Sequence, residues 1–278
     1  MKRLITYIKE LVEEFQKDNI PILGAAQAYY YLLAVVPMLI LLLSILPYLN
    51  IDADSAVQTM GRVLPDNTAE IFRENIVSIV EQPKGGLLTI GILGTLWSAS
   101  NGVNAFIQSA NQAYNVEETR SFIKVRLMAI VLTLGMILAI VVALLLPVFG
   151  DVIINFINNA VNLPDQTVIL FQVLRWAISV LVIGAILMAL YHYAPNKNIP
   201  FKHILPGAII TAFLWQLISL AFSFYVSNFG NFSATYGSLG GIIILMLWFF
   251  LTGIILMIGA EINVIYHRKH GGDKQKAA

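Results

Sequence analysis

HILPGAIITAFLWQLISLAFSFYVSNFGNFSATYGSLGGIIILMLWFFLTGIILMIGA, residues 203–260, runs for 58 positions without a Lys, Arg, Asp or Glu. A bilayer is crossed by a helix of about 20 largely apolar residues, so this run holds two crossings joined by the uncharged turn NFGNFSATYG. Four further charge-free runs, at 19–51, 85–116, 127–150 and 176–196, are each long enough for one. The expected fold class is therefore all-α: a polytopic membrane protein with six transmembrane helices plus short interfacial amphipathic helices.

Composition agrees. The chain is 58% hydrophobic and 12% charged with mean hydropathy +0.77, which describes a single integral membrane domain over 1–278. Cysteine is absent, so disulfides, thiolate metal sites and cysteine nucleophiles are excluded. With six crossings, 13 of the 17 Lys and Arg fall on one side, among them Lys2, Arg3, Arg120, Lys124, Arg126, Lys197, Lys202, Arg268 and Lys269. The positive-inside bias then places both termini in the cytoplasm. Charges at Lys9, Glu10, Glu13, Glu14, Lys17 and Asp18 interrupt any signal-peptide core.

Around the crossings, residues 1–18 read as a cytoplasmic interfacial helix, with Leu4, Ile8, Leu11, Val12 and Phe15 at helical spacing among charges. Residues 50–84 read as an outer interfacial segment and 267–278 as a cytoplasmic tail. Pro37 is expected to kink the first crossing. Arg175 lies either within the fourth crossing or, with Trp176, at its outer edge as an anchor.

The second crossing carries Asn101, Asn104, Gln108, Asn111, Gln112 and Asn115, which at 100° per residue share an arc of about 100°. Lipid offers such amides no partner. They face other helices or a wet cavity, unless the helix leaves the membrane near Phe106. Gln27, Tyr29, Tyr30 and Tyr31 of the first crossing, Tyr191, His192 and Tyr193 of the fourth, and Glu261 and Asn263 of the sixth share that half of the membrane. Together they suggest a polar cavity open to the cytoplasm, with Gln27, Tyr30, Asn101, Asn104, Gln108, Asn111, Tyr191, Glu261 and Asn263 as its substrate-binding lining. Glu261 either reaches the membrane edge or pairs with Arg126. Gly24 with Ala28, Ser98 with Gly102, and Gly237 with Gly241 are small-residue pairs suited to close helix packing. The four histidines are scattered, no carboxylate pair lies within a crossing, and no phosphate-binding glycine motif or serine elbow occurs. No catalytic residue, metal or cofactor is expected.

AYYYLLAVVPMLI (28–40), WSASNG (97–102), Asn111 and Tyr114 with Arg120, then Tyr191, Pro195 and Asn196 form a series of motifs along the chain. With Pro206, Gly207, Trp215, YGSLGG (236–241), Trp248 and GAEIN (259–263), it resembles the YihY/BrkB family of bacterial inner-membrane proteins across nearly the whole chain. A serine is commonplace in that family where this chain has Ala34. The resemblance implies six helices, cytoplasmic termini and a location in the bacterial inner membrane. It also carries an older ribonuclease BN label, which does not fit a chain with no acidic or histidine metal cluster and no basic nucleic-acid face. The residues point to a transporter or flippase of an amphiphilic or lipid-linked anion, with membrane lipids as partners and no nucleic acid. The rival readings are a non-transporting scaffold and a membrane ribonuclease.

Overall fold

The computed structural model describes residues 2–45, 85–138, 181–229 and 239–270. These form seven helices, and no strand occurs among the described residues. They are α1 (Lys2–Lys17), α2 (Ile20–Ile45), α3 (Gly85–Ala113), α4 (122–138), α5 (Leu181–Tyr193), α6 (Phe201–Phe229) and α7 (Gly240–Lys269). Helix is the expected answer to an apolar solvent, since it satisfies every backbone polar group within the segment.

Three helices are long and apolar enough to cross a membrane: α2 over Ile20–Met38, α6 over Phe201–Val226 and α7. α3 has the length, but its amide stripe dilutes its apolar character. α4 and α5 are the described parts of the expected third and fourth crossings. The outer segment 50–84, Pro147, Arg175, most of the 228–237 turn and the tail from 271 lie outside the described residues.

α1 is the expected amphipathic helix. It ends at Asn19, whose φ of 51° lets the chain turn directly into α2. Asparagine tolerates this left-handed conformation better than most residues. Asn115 (φ 50°) makes the matching turn after α3. α2 packs along α3, α7 lies against both α2 and α6, and α1 crosses the end of α7.

Close approach sets these contacts, because lipid tails compete with apolar side chains and leave tight van der Waals packing as the main attraction. Gly24 of α2 meets Gly253 of α7 backbone to backbone: a Cβ on Gly253 would stand 2.9 Å from the Gly24 oxygen. Gly102 receives the Tyr31 ring, and Gly207 faces Asn263 and the Gly259 carbonyl. Of the small-residue pairs, Gly24/Ala28 and Gly102 serve as expected. Gly241 does not: nothing lies within 4 Å of its would-be Cβ, and Gly237 is outside the described residues.

The buried core gathers at the end where α1 lies, around Ile20, Phe106, Ile107, Tyr191, Ile204, Met257 and Ile265. Farther along, Val36, Met38, Ile90, Leu93, Phe213, Leu220 and Phe224 are exposed, as suits a lipid-facing surface.

Candidate functional site

At the end where α1 lies, polar side chains fall into four groups. The first is a clamp. Asn111, buried at the end of α3, donates from Nδ2 to Glu118 (2.8 Å) and accepts from the Asn196 backbone N–H (2.6 Å). Arg120 grips Glu118 with Nε and Nη2 (2.7 and 2.5 Å) and donates to the Tyr193 and Ala194 carbonyls (3.1 and 2.8 Å). Those carbonyls end α5 and have no partner within a helix, so the guanidinium caps it. The Arg120 hydrogen bonds hold the Glu118 carboxyl below the usual carboxylate range, against the opposing effect of burial. Asn196 closes the ring through the Glu117 carbonyl and Thr119, both at 2.8 Å.

The second group is the amide stripe, which divides among separate neighbours. Asn101 accepts from Arg126 at 2.6 Å, and that guanidinium lies 3.7 Å over the Trp97 ring. Asn104 is half-buried and Gln108 exposed. Gln112 donates to the Asp18 carbonyl at 3.0 Å and so holds the α1–α2 turn. The expected Glu261–Arg126 pair is not formed. Arg126 turns to α3, where Trp97 and Asn101 offer a ring face and a carbonyl oxygen, whereas Glu261 faces the end of α1.

The third group lies inside the helix packing. The Tyr191 hydroxyl pairs with Thr211 (2.7 Å) and donates to the Leu256 carbonyl (2.8 Å). Asn263 accepts from the Gly207 N–H at 2.8 Å while its Nδ2 has no partner. Gln27, fully buried, accepts from the Tyr31 hydroxyl at 3.5 Å and leaves Nε2 unmatched. Tyr30 is half-buried, its ring against Tyr29. None of these lines the two hollows found between described helices. One, about 220 Å³, is walled by Leu132, Met136 and Leu190, and the other, about 380 Å³, by Phe222, Leu247 and Phe250.

The fourth group was not visible in the chain as a string. Glu14 and Asp18, one turn apart at the end of α1, meet Glu261 of α7, and one oxygen from each lies within 4.8 Å of the others. The expectation of no acidic cluster is therefore corrected: folding assembles one from residues far apart in sequence. Glu14 holds Arg268 at 2.6 Å and Lys17 at 3.1 Å. Burial raises the Glu14 carboxyl, but the hydrogen bonds from these two cations outweigh it and leave the group below its ordinary value. Both Glu261 oxygens and Asp18 Oδ2 are buried without a hydrogen-bond partner. Tyr114, just past α3, is buried with an unmatched hydroxyl, its acidity suppressed by burial and then by the charges of Glu261 and Tyr191. Beside this cluster His203 and His267, from α6 and α7, bring their Nδ1 atoms to 2.9 Å. Their separation in sequence hid that pair too.

The clamp unites Asn111, Arg120 and Asn196, and the Gly207–Asn263 contact joins the Pro206-Gly207 step to the GAEIN block, residues scattered through the sequence pattern noted above. The sequence profile of the family described as Virulence factor BrkB matches residues 11–278. The chain belongs to the BrkB family. Among its relatives, the putative ribonuclease-like protein YfkH of Bacillus subtilis is 41% identical over 265 residues, covering 95% of this chain and 96% of that protein. A UPF0761 membrane protein of Photobacterium profundum is 28% identical, over 95% of this chain and 81% of its own. Another from Vibrio vulnificus is 27% identical, over 96% and 84%. No solved structure matches the chain.

Proposed function

We propose that this BrkB-family membrane protein is a transporter or flippase of an amphiphilic or lipid-linked anion. It would sit in the bacterial inner membrane with six crossings and both termini in the cytoplasm. The reading rests on one observation: amide N–H donors buried on the apolar helices are left without partners, namely Gln27 Nε2 on α2 and Asn263 Nδ2 on α7. An unmatched buried polar group costs about 1–3 kcal/mol, more if charged, and a bundle built only to pack would have paired or replaced it. A ligand that comes and goes explains why the valences stay open. Both are suited to an anionic headgroup, and the apolar flanks of the helices suit its tail.

The scaffold reading draws on the Arg120 clamp and the glycine contacts, which need no ligand. It leaves the unmatched donors unexplained. The ribonuclease-like name of the Bacillus relative suggests a third reading, which cleavage of RNA by the purified protein would support. Our reading has the protein as no enzyme.

Reconstitution into liposomes with a panel of labelled anionic lipids, lipid-linked phosphates and small organic anions tests this. Protein-dependent movement of at least one member is expected. Gln27→Leu should slow it about tenfold or more, the loss of one buried hydrogen bond to a charged group. A correctly folded protein that moves none of the panel would favour the scaffold.

A further inference from the structure

We propose that Glu14, Asp18 and Glu261 bind one divalent cation of calcium's size, enclosed where α1, the α1–α2 turn and α7 meet. The inference stands apart from the transport reading, since ion binding is measured with no transported substrate present.

Spacing comes first. The three oxygens lie within 4.8 Å of one another, so some point is no farther than about 2.8 Å from all three, within a few tenths of an ångström of the about 2.3–2.6 Å at which calcium binds carboxylate oxygens. Magnesium, held at about 2.0–2.1 Å in strict octahedral geometry, gives up its water reluctantly, which a site with side chains this enclosed would demand of it.

Charge is the second consideration. Arg268 and Lys17 bind the two oxygens of Glu14, one each. Asp18 and Glu261 form no salt bridge among the described residues, yet they are 4% and 0% exposed. Two carboxylates remain, and buried charges are paired or coordinate metals.

The third consideration is independent of acidity. Both Glu261 oxygens are fully enclosed with no N–H donor, Asp18 being near enough to share a proton with Glu261, and Asp18 Oδ2 is in the same condition. The Tyr114 hydroxyl, in a residue only 6% exposed, is likewise unmatched and within electrostatic reach of Glu261. An oxygen-seeking ion, directly or through a bound water, gives all of these groups a partner at once. A proton shared by Asp18 and Glu261 would serve those two and leave the Tyr114 hydroxyl unmatched.

The test uses the full chain in nanodiscs, stripped with EDTA and dialysed. Calorimetric titration with calcium chloride should show one ion per chain, at least about tenfold tighter than magnesium chloride, with sodium chloride as a further arm. Glu261→Gln and Asp18→Asn keep the side-chain shapes and should each weaken calcium binding about tenfold or more, because affinity follows ligand charge. Glu10→Gln, which removes only the surface pair with Lys269, should bind as the unaltered protein does. Terbium emission excited through tyrosine and displaced by calcium provides a reading on the unaltered protein even if a variant fails to fold. No calcium binding at millimolar concentration, no displaceable terbium signal, or undiminished binding by both folded variants would overturn the site. Proton uptake on acidification with no ion binding would assign the cluster to the shared proton instead.

Discussion

Replacing Arg120 with alanine should release the 114–121 loop from the end of α5. Its guanidinium makes four hydrogen bonds to oxygen, two to Glu118 and two to the Tyr193 and Ala194 carbonyls, and a weaker one to Met128 Sδ, and its side chain is 11% exposed. In a dry interior each charged bond would contribute about 1.5–3 kcal/mol, but Glu118 is 27% exposed and the pair is partly screened. At slightly under ~1 kcal/mol per bond after that discount, the loss is about 3 kcal/mol. Arg120→Lys keeps the charge but loses the fork, and should cost about half as much. Unfolding by increasing SDS fraction in mixed micelles, followed by far-ultraviolet circular dichroism, gives the free energies. If Arg120→Ala unfolds within about 0.5 kcal/mol of the unaltered protein, the clamp is ornamental and the assignment fails.

Gly253→Leu should separate α2 from α7 and destabilise the fold by about 1–3 kcal/mol in the same assay, whereas Gly241→Ala, with open space around it, should stay within about 0.5 kcal/mol. The Glu14 and Glu118 carboxyls are both held below their ordinary value, so the stability they confer is complete above the unfolded carboxyl value of about 4.3 and is lost as pH falls through their lower folded values. Melting curves from about pH 7 to about pH 3 should show that loss, and Glu14→Gln should flatten part of it. Arg126→Ala should leave the Asn101 carbonyl oxygen and the Trp97 ring without their cation, seen as a shift in tryptophan emission. A cysteine at Ala277 should resist an impermeant thiol reagent in intact cells if that end is cytoplasmic, as the proposed topology has it.

The three helices long and apolar enough to cross a membrane were legible directly, because charge-free runs fill most of α2, α6 and α7 and an apolar run longer than a bilayer is thick has few other solutions. α1 was legible for the complementary reason, as apolar residues at helical spacing among charges. The amide stripe was visible as a pattern but not as a set of partners. Helical phase shows that Asn101, Gln108 and Gln112 share a face, yet not that one meets Arg126, another solvent and the third the Asp18 carbonyl. The acidic triad was the least legible. Glu14 and Asp18 are one turn apart, a hint that two carboxylates share a face, but Glu261 joins them only because α7 runs back across α1, and no local pattern encodes that return.

The Gly24–Gly253 crossing has a mechanical consequence. Where Gly253 meets the Gly24 backbone no side chain stands between the helices, so the crossing point itself can act as a pivot for a small change in their angle. Glu261 lies two turns of α7 beyond it, a lever of about 12 Å at the helical rise per residue. A scissoring of about 10° there would carry Glu261 sideways by about 2 Å, on the scale of a metal–oxygen bond. A slight opening of these two helices would therefore be enough to part the three carboxylates, and holding them together would lock the angle.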